Sequence, residues 1–286
     1  MKKVLLYLDT NKVANPFDPL LALDGDYDAV LPYASVTEEN VEYIIHNAIF
    51  ARSDEGRKNT VIMVGGSLDE SEKIFQKLRR MLRTPFEMSV IFDPNGACTT
   101  AAATIAKIEK LIGNIRGKRI TILAGTGPIG QISALLLRNL GGEVTITSRS
   151  KDKAVRTANR LSDDVRGSVI GLQGATPDER VKACRNADII LATGAKGTQL
   201  LDSEALGKLK PKIVADVNAI QPYGIEEIKP DMDGDDIRGT KGLGPCTIGD
   251  LKNLVEKEML KKALEETKFF DYNDALILAR ELSRSR

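Results

Sequence analysis

Leu123-Ala124-Gly125-Thr126-Gly127-Pro128-Ile129-Gly130 joins a short β-branched run, residues 118–123, to an apolar segment, residues 131–140, with the pattern of a helix packed on a sheet. The expected unit is strand, glycine turn and helix. Gly125 is expected to permit the tight turn, Gly127 to let the backbone approach a pyrophosphate, and Gly130 to let helix and strand pack closely. Pro128 suits the first helical turn, where its missing N–H is no loss and its φ is already helical. Together with Thr126 and Ile129, these residues are candidates to hold a dinucleotide, whose pyrophosphate would lie at the positive end of the helix.

The next strand discriminates between nicotinamide cofactors. Gly141-Gly142 closes the helix, and residues 143–147 read as a strand ending beside the adenine ribose. An NAD site usually places Asp or Glu about 20 residues on. Here the stretch is Thr147-Ser148-Arg149-Ser150-Lys151-Asp152-Lys153. Hydroxyls and cations suit a 2′-phosphate, to which Arg makes charge-assisted bidentate bonds. Ser148, Arg149, Ser150 and Lys153 are therefore candidates for that phosphate, and NADP is expected over NAD. The competing explanation is an ordinary solvated loop with Ser150 as a helix cap.

Downstream, residues 187–192 form a predicted strand ending in Thr193-Gly194-Ala195, and residues 212–215 another ending in Asp216-Val217-Asn218. Ligands lie beyond the carboxyl ends of strands in open parallel sheets, so Thr193, Gly194, Ala195, Asp216 and Asn218 are further cofactor candidates. The alternative is that the glycines and Asn218 only shape turns. Thr176-Pro177 caps a helix, residues 242–249 read as a glycine-rich loop, and helices follow over 250–267 and 272–282.

Upstream, the first third alternates strands and helices. Strands are expected at 4–8, near 29–31, at 60–64 and at 86–92, with a helix from Thr37 to Phe50 and a capping box at Ser67–Glu70. Asp93-Pro94-Asn95-Gly96 forms a sharp turn before Thr99-Thr100 and a helix over 101–112; the two threonines either cap it or reach a ligand. The fold class is α/β: a Rossmann-type dinucleotide-binding domain over 106–249 and a smaller, discontinuous α/β substrate domain over 1–105 and 250–286, with an interdomain cleft.

Composition narrows the function. With 41 Lys and Arg against 40 Asp and Glu, the formal charge of +1 gives no field for nucleic acid or an anionic membrane. The basic run 77–83 alternates with apolar residues as on an amphipathic helix. Three separated cysteines and one histidine make no metal or redox set, so no metal is expected. The start lacks a secretory core and no segment has the length of a membrane span, so a cytoplasmic location is expected.

The ordered set Asn15-Pro-Phe-Asp18, Val64-Gly-Gly66, Asp93-Pro-Asn-Gly96 with Thr99-Thr100-Ala-Ala-Ala103, Ala124–Gly130, Val214–Ala219 and Ile248-Gly-Asp-Leu-Lys252 resembles the NADP-dependent methylene-tetrahydromethanopterin dehydrogenases, relatives of the methylene-tetrahydrofolate dehydrogenases. The resemblance spans almost the whole chain. It implies hydride transfer from the methylene carbon of a tetrahydropterin carrier to NADP, with tetrahydromethanopterin as carrier and tetrahydrofolate as a poorer one. It places Thr100 and Lys252 in the active site, Phe17 and Asp18 in the substrate wall, and Asn95 and Asn218 as polar contacts to substrate or nicotinamide; Thr99 is a further substrate candidate, and the alternative for Lys252 is a helix-surface lysine. It also implies a homo-oligomer, with a trimer as one option. Bifunctional folate enzymes carry a tyrosine followed four positions later by a hydrolytic lysine. Here Tyr43 is followed by Asn47, so dehydrogenase activity without cyclohydrolase activity is expected.

Three other readings compete: a methylene-tetrahydrofolate dehydrogenase, a shikimate or amino-acid dehydrogenase of similar layout, and a non-catalytic NADP-binding regulator. Shikimate chemistry needs a lysine–aspartate pair that the sequence does not place. The regulator predicts cofactor binding without turnover.

Overall fold

The computed structural model describes residues 1–163 and 168–284. In chain order the elements are β1 (Val4–Asp9), α1 (Phe17–Leu23), β2 (Ala29–Tyr33), α2 (Val41–Ala51), α3 (Asp54–Lys58), β3 (Thr60–Gly65), α4 (Leu68–Met81) and β4 (Ser89–Phe92). After a 3-10 turn, Pro94–Gly96, come α5 (Ala97–Ile112), β5 (Arg119–Leu123), α6 (Pro128–Asn139), β6 (Glu143–Ser148), α7 (Lys151–Asp163), β7 (Ile170–Gln173), α8 (Pro177–Cys184) and β8 (Ile189–Ala192). The chain ends with α9 (Ser203–Gly207), β9 (Ile213–Asp216), β10 (Asp233–Ile237), β11 (Thr240–Leu243), α10 (Pro245–Glu265), β12 (Phe269–Phe270) and α11 (Tyr272–Arg284).

Two compact units result, Met1–Thr99 with Asn253–Leu278, and Thr100–Lys252 with the end of α11. The borders differ from those expected at 105/106 and 249/250. The end of α11 belongs to the second unit, where Arg280 grips Glu109 of α5 with two bonds of 2.7 Å. Thus α5 and α10 each begin in one unit and finish in the other.

Among the described residues, the first unit holds a parallel sheet in the order β12-β4-β3-β1-β2. Every residue of β1 and β3 is buried, which accounts for their unbroken apolar runs: a parallel strand covered on both faces has no solvent side to alternate with. The second unit's sheet runs β10-β11-β9-β8-β5-β6-β7, parallel except for the β10–β11 hairpin. From β7 to β11 this is the doubly wound dinucleotide-binding order, with the reversal between β5 and β8. Its core gathers Leu123, Ile190, Ala192 and Val214 with Leu201, Leu206 and Ile225. No helix among the described residues is long and apolar enough to cross a membrane.

Several local expectations are corrected. The strand read over 86–92 is confined to Ser89–Phe92, because the Phe86 amide turns back onto the Arg83 carbonyl. The helix expected from Thr37 starts at Val41; Thr37 and Asn40 instead exchange side-chain bonds to each other's amides. Ser67 caps α4 through the Glu70 amide, but the Glu70 carboxylate pairs with Lys73, so the box there is half made. A complete box forms at Thr176–Glu179. The loop expected over 242–249 divides between β11 and the first turn of α10, which begins on Pro245.

Candidate dinucleotide and substrate sites

Beyond the carboxyl ends of β5, β6 and β8 lies a cleft of about 450 Å³. It gathers Ala124, Thr126, Ser148, Arg149, Ser150, Lys153, Gly194 and Ala195, seven of which are residues the sequence singled out. The glycine turn is built differently from the expectation in one respect. The left-handed residue is Ala124, at φ 54°, not Gly125. Gly125 serves close packing: a Cβ there would meet the Ile122 side chain and carbonyl and the Ile146 Cβ, each at 3.0 Å. Gly130 is closer still, since its Cβ would stand 2.5 Å from the Gly125 Cα. Gly127 faces open space, with nothing within 4 Å of an added Cβ, and is the N-cap residue of α6 with Pro128 following. An open glycine before a helix N-terminus fits a pyrophosphate.

Neighbouring side chains brace this turn. Thr147 Oγ1 accepts from the Ala124 amide at 3.1 Å, and Gln131 Nε2 donates to the Thr126 carbonyl at 2.8 Å. Gln131 Oε1 in turn accepts from Arg160 of α7. Sequence reasoning passed over Thr147 and Gln131. Ser150 does cap α7, accepting from the Lys153 amide at 3.2 Å, and Ser148 accepts from the Ser150 amide at 3.4 Å. The cap and the ligand role are compatible, because capping uses oxygen lone pairs and leaves the hydroxyl protons. Arg149 and Lys153 are exposed and have no protein partner for their charges among the described residues. The cleft lining contains Arg149, Lys153 and Arg180 and no carboxylate. That donor set fits a dinucleotide bearing an extra phosphate and lacks the acceptor for a ribose 2′-hydroxyl.

Thr193, Asp216 and Asn218, further cofactor candidates, each bond within the framework. Thr193 donates with both amide and hydroxyl to the Leu123 carbonyl, each at 3.0 Å, tying β8 to β5. Asp216 is fully buried and accepts from the amides of Asn218 at 2.9 Å and Ile225 at 3.0 Å. Burial pushes its carboxyl above the ordinary range, with the amides of Asn218, Ile225 and Gly224 opposing. Asn218 donates to the Pro222 carbonyl and accepts from the Ile220 amide, both at 3.0 Å. Both side chains hold the loop after β9, and for Asn218 this is the turn-shaping role the sequence also allowed.

In the first unit, the reversal of strand order falls between β1 and β3, so a ligand is expected beyond their carboxyl ends. Asp9 closes β1 and organises the next loop, accepting from the amides of Asn11 and Asn15, both at 2.8 Å, and from the Tyr7 hydroxyl at 3.3 Å. Thr10 Oγ1 accepts from the Ser67 amide at 2.7 Å, and Asn11 Nδ2 donates to Asn95 Oδ1 at 3.4 Å. The ends of β1, β3 and β4 are thereby linked. Asn95, exposed at φ 50°, takes the left-handed conformation its short side chain tolerates. Phe17 is 44% exposed, whereas Asp18 is 1% exposed with its Oδ2 lacking a hydrogen bond. Tyr7 beside it is held protonated, by burial first and then by Asp18 and Asp9. The strand-end group Asp9, Thr10 and Asn11 escaped sequence reading, although the strand before it was recognised.

Thr99 is fully buried, its hydroxyl donating to Asp93 Oδ2 at 2.6 Å while Asp93 Oδ1 accepts from the Cys98 amide at 2.7 Å. It secures the turn into α5 by bracing Asp93, whose carboxylate accepts from the amides of the helix start. Thr100 is half-buried and is the first residue of the second unit on α5; Lys252, 8% exposed, is the last before α10 enters the first unit. The two candidate catalytic residues therefore stand at the two positions where these helices pass from one unit to the other.

Residues 16–95 match the family model described as methylene-tetrahydromethanopterin dehydrogenase, N-terminal. The bifunctional protein MdtA of Methylorubrum extorquens is 33% identical, with 99% of each chain covered. The NAD(P)-dependent methylenetetrahydromethanopterin dehydrogenase of the same bacterium is 28% identical, again over 99% of each. A shikimate dehydrogenase solved with NADP+ shares the fold, with a TM-score of 0.59 at 14% identity over 98% of this chain and 96% of its own. Fold and cleft together define a Rossmann-type dinucleotide-binding protein. By its end-to-end similarity, the chain belongs to the methylene-tetrahydromethanopterin dehydrogenase family.

Proposed function

We propose that this protein oxidises the methylene carbon of methylene-tetrahydromethanopterin to the methenyl form, using NADP and without cyclohydrolase activity. The observation that carries this reading is end-to-end kinship with a dehydrogenase named for that carrier. The cationic, carboxylate-free cleft supports the cofactor choice.

NADP, when bound, supplies the hydride acceptor. The amides opening α6 and the open face of Gly127 would hold its pyrophosphate, while Ser148, Arg149 and Lys153 would hold the 2′-phosphate. Phe17 and Asn95, exposed beyond the strand ends of the first unit, contact the pterin. Thr100 and Lys252 supply polar groups near the reacting carbon. Hydride leaves a carbon flanked by two nitrogens whose lone pairs share the resulting positive charge, so no enzyme base has to take a proton. The protein's work is alignment and the exclusion of water. The expectation of no hydrolysis rests on Asn47, four positions after Tyr43 where the folate enzymes carry a lysine; its side chain donates to the Tyr43 carbonyl at 2.7 Å.

We also read the protein as a homo-oligomer. Leu20 and Leu23 on α1 and Leu31 on the edge strand β2 are 58%, 50% and 47% exposed, an apolar margin that a second copy would cover.

The test is purified full-length protein with methylene-tetrahydromethanopterin or methylene-tetrahydrofolate, each with NADP and NAD, recording reduced nicotinamide. Rapid turnover with the methanopterin form and NADP is expected, with no hydrolysis of the methenyl product above the uncatalysed rate. Faster turnover on the folate form reassigns the carrier. Cofactor binding without turnover on either overturns the enzyme reading.

A further inference from the structure

Arg180 of α8 lines the dinucleotide cleft but belongs to none of the motifs that point to a nucleotide. Its Nε donates to the Leu200 carbonyl at 2.6 Å, and Nη1 donates to the carbonyls of Gly174 at 3.3 Å and Ala175 at 3.0 Å. A guanidinium has five N–H donors in a rigid fork. Three are therefore committed to carbonyls from two loops, those following β7 and β8. Both donors on Nη2 are left without a protein partner among the described residues.

The anchoring loop is itself fixed. The Gly174 amide donates to the Ser148 carbonyl at 2.9 Å, which ties it to the end of β6, where the 2′-phosphate candidates begin. Glu179 accepts from the amides of Ala175 at 2.7 Å and Thr176 at 3.1 Å, completing the cap of α8. Carbonyl dipoles hold the guanidinium in place without neutralising it, and no carboxylate lines the cleft. A cation fixed this way, with two donors free, is pre-organised for an anion.

We propose that Arg180 is a specificity-determining residue that directs its Nη2 donors to the 2′-phosphate of the cofactor, as a third cation beside Arg149 and Lys153. The inference rests on the NADP reading above. Arg149 and Lys153 are exposed and must be ordered when the phosphate arrives, whereas the Arg180 fork is already set. Its contribution is therefore discrimination between NADP and NAD with little ordering cost.

The experiment is calorimetric titration of the full-length protein and its Arg180→Gln and Arg180→Lys variants with 2′,5′-ADP and with 5′-AMP, alongside thermal unfolding of each protein. Arg180→Gln is expected to weaken 2′,5′-ADP binding about tenfold or more while 5′-AMP changes by less than about twofold, the scale of one lost charge-assisted contact. Arg180→Lys, with the charge but without the fork, falls between. Equal losses for both nucleotides make Arg180 a loop clamp and overturn the proposal, as does full retention of the preference. If the parent protein shows no preference for 2′,5′-ADP, the NADP reading itself fails. If the variants do not fold, mass-mapped phenylglyoxal labelling of the parent protein decides. Protection of Arg180 by 2′,5′-ADP but not by 5′-AMP supports the proposal; protection of Arg149 alone overturns it.

Discussion

Gly127 and Gly130 lie three residues apart in one motif, yet the structure assigns them different physics. An alanine methyl at 130 would be forced into the Gly125 backbone, at 2.5 Å from its Cα, where neither side can yield without moving strand or helix. Gly130→Ala is therefore expected to lower stability by about 1–3 kcal/mol, the usual cost of overpacking, and to impair NADP binding with it. Gly127→Ala meets nothing. It should melt within a few degrees of the parent while KM for NADP rises severalfold, because the methyl occupies the space left for a phosphate. Unfolding curves and cofactor kinetics on both variants check this; equal destabilisation would refute the division of labour. The motif was legible in the sequence, but the roles within it were not, since the left-handed position fell on Ala124. Spacing reveals that a turn exists; only backbone geometry says which residue bends. Thr99 and Asn218 teach the same lesson, because a side chain that bonds its own loop and one that reaches a ligand look identical in sequence.

At the scale of elements, legibility followed burial. Strands β1, β3, β5, β8 and β9 lie inside their sheets, and their β-branched apolar runs announce them. The hairpin β10–β11 is written Asp-Gly-Asp-Asp-Ile and Thr-Lys-Gly-Leu, and β7 is a largely exposed edge strand. Such strands form because a neighbour offers its backbone edge, which their own composition does not show. Asp188 shows how these strands are tied at their starts. Just before β8, it accepts from the Arg119 amide of β5 at 3.0 Å and lies 3.4 Å from Lys212, which leads into β9. The Arg119 amide first, then Lys212 and the Arg119 charge, hold its carboxyl below the ordinary range. A carboxyl depressed in the folded state adds stability above its unfolded-state pKa, near 4, and loses it as pH falls through the folded value. Asp188→Asn should therefore lower the melting temperature at about pH 7 and by progressively less in acid, below about pH 4. A difference that stays constant across a pH series of thermal melts would show that packing, not charge, is responsible.

Considered as a whole, the molecule has a conspicuous shortage of groups that titrate near neutrality. Its one histidine, His46, is exposed on α2 of the first unit against the Phe50 ring. Two of the three cysteines are buried and kept as thiols: Cys184 is pushed up to about 12 by burial, and Cys98 is raised by burial and by Asp93 and Asp271. Tyr7 is raised as well. An alcohol dehydrogenase of the shikimate type must remove a proton along with the hydride and shows the pKa of its base in the rate. Oxidation of a methylene group between two nitrogens has no such proton to remove. The turnover number with saturating substrate and NADP is therefore expected to vary by less than about threefold between about pH 6 and 8.5, and His46→Gln should leave that profile unchanged. Stopped-flow traces of reduced nicotinamide across the range isolate hydride transfer from product release. A sigmoid rise with a midpoint inside it would require an enzyme base and overturn direct hydride transfer. Under direct hydride transfer Lys252→Met, which removes a buried polar group of α10, lowers the rate and leaves the profile flat.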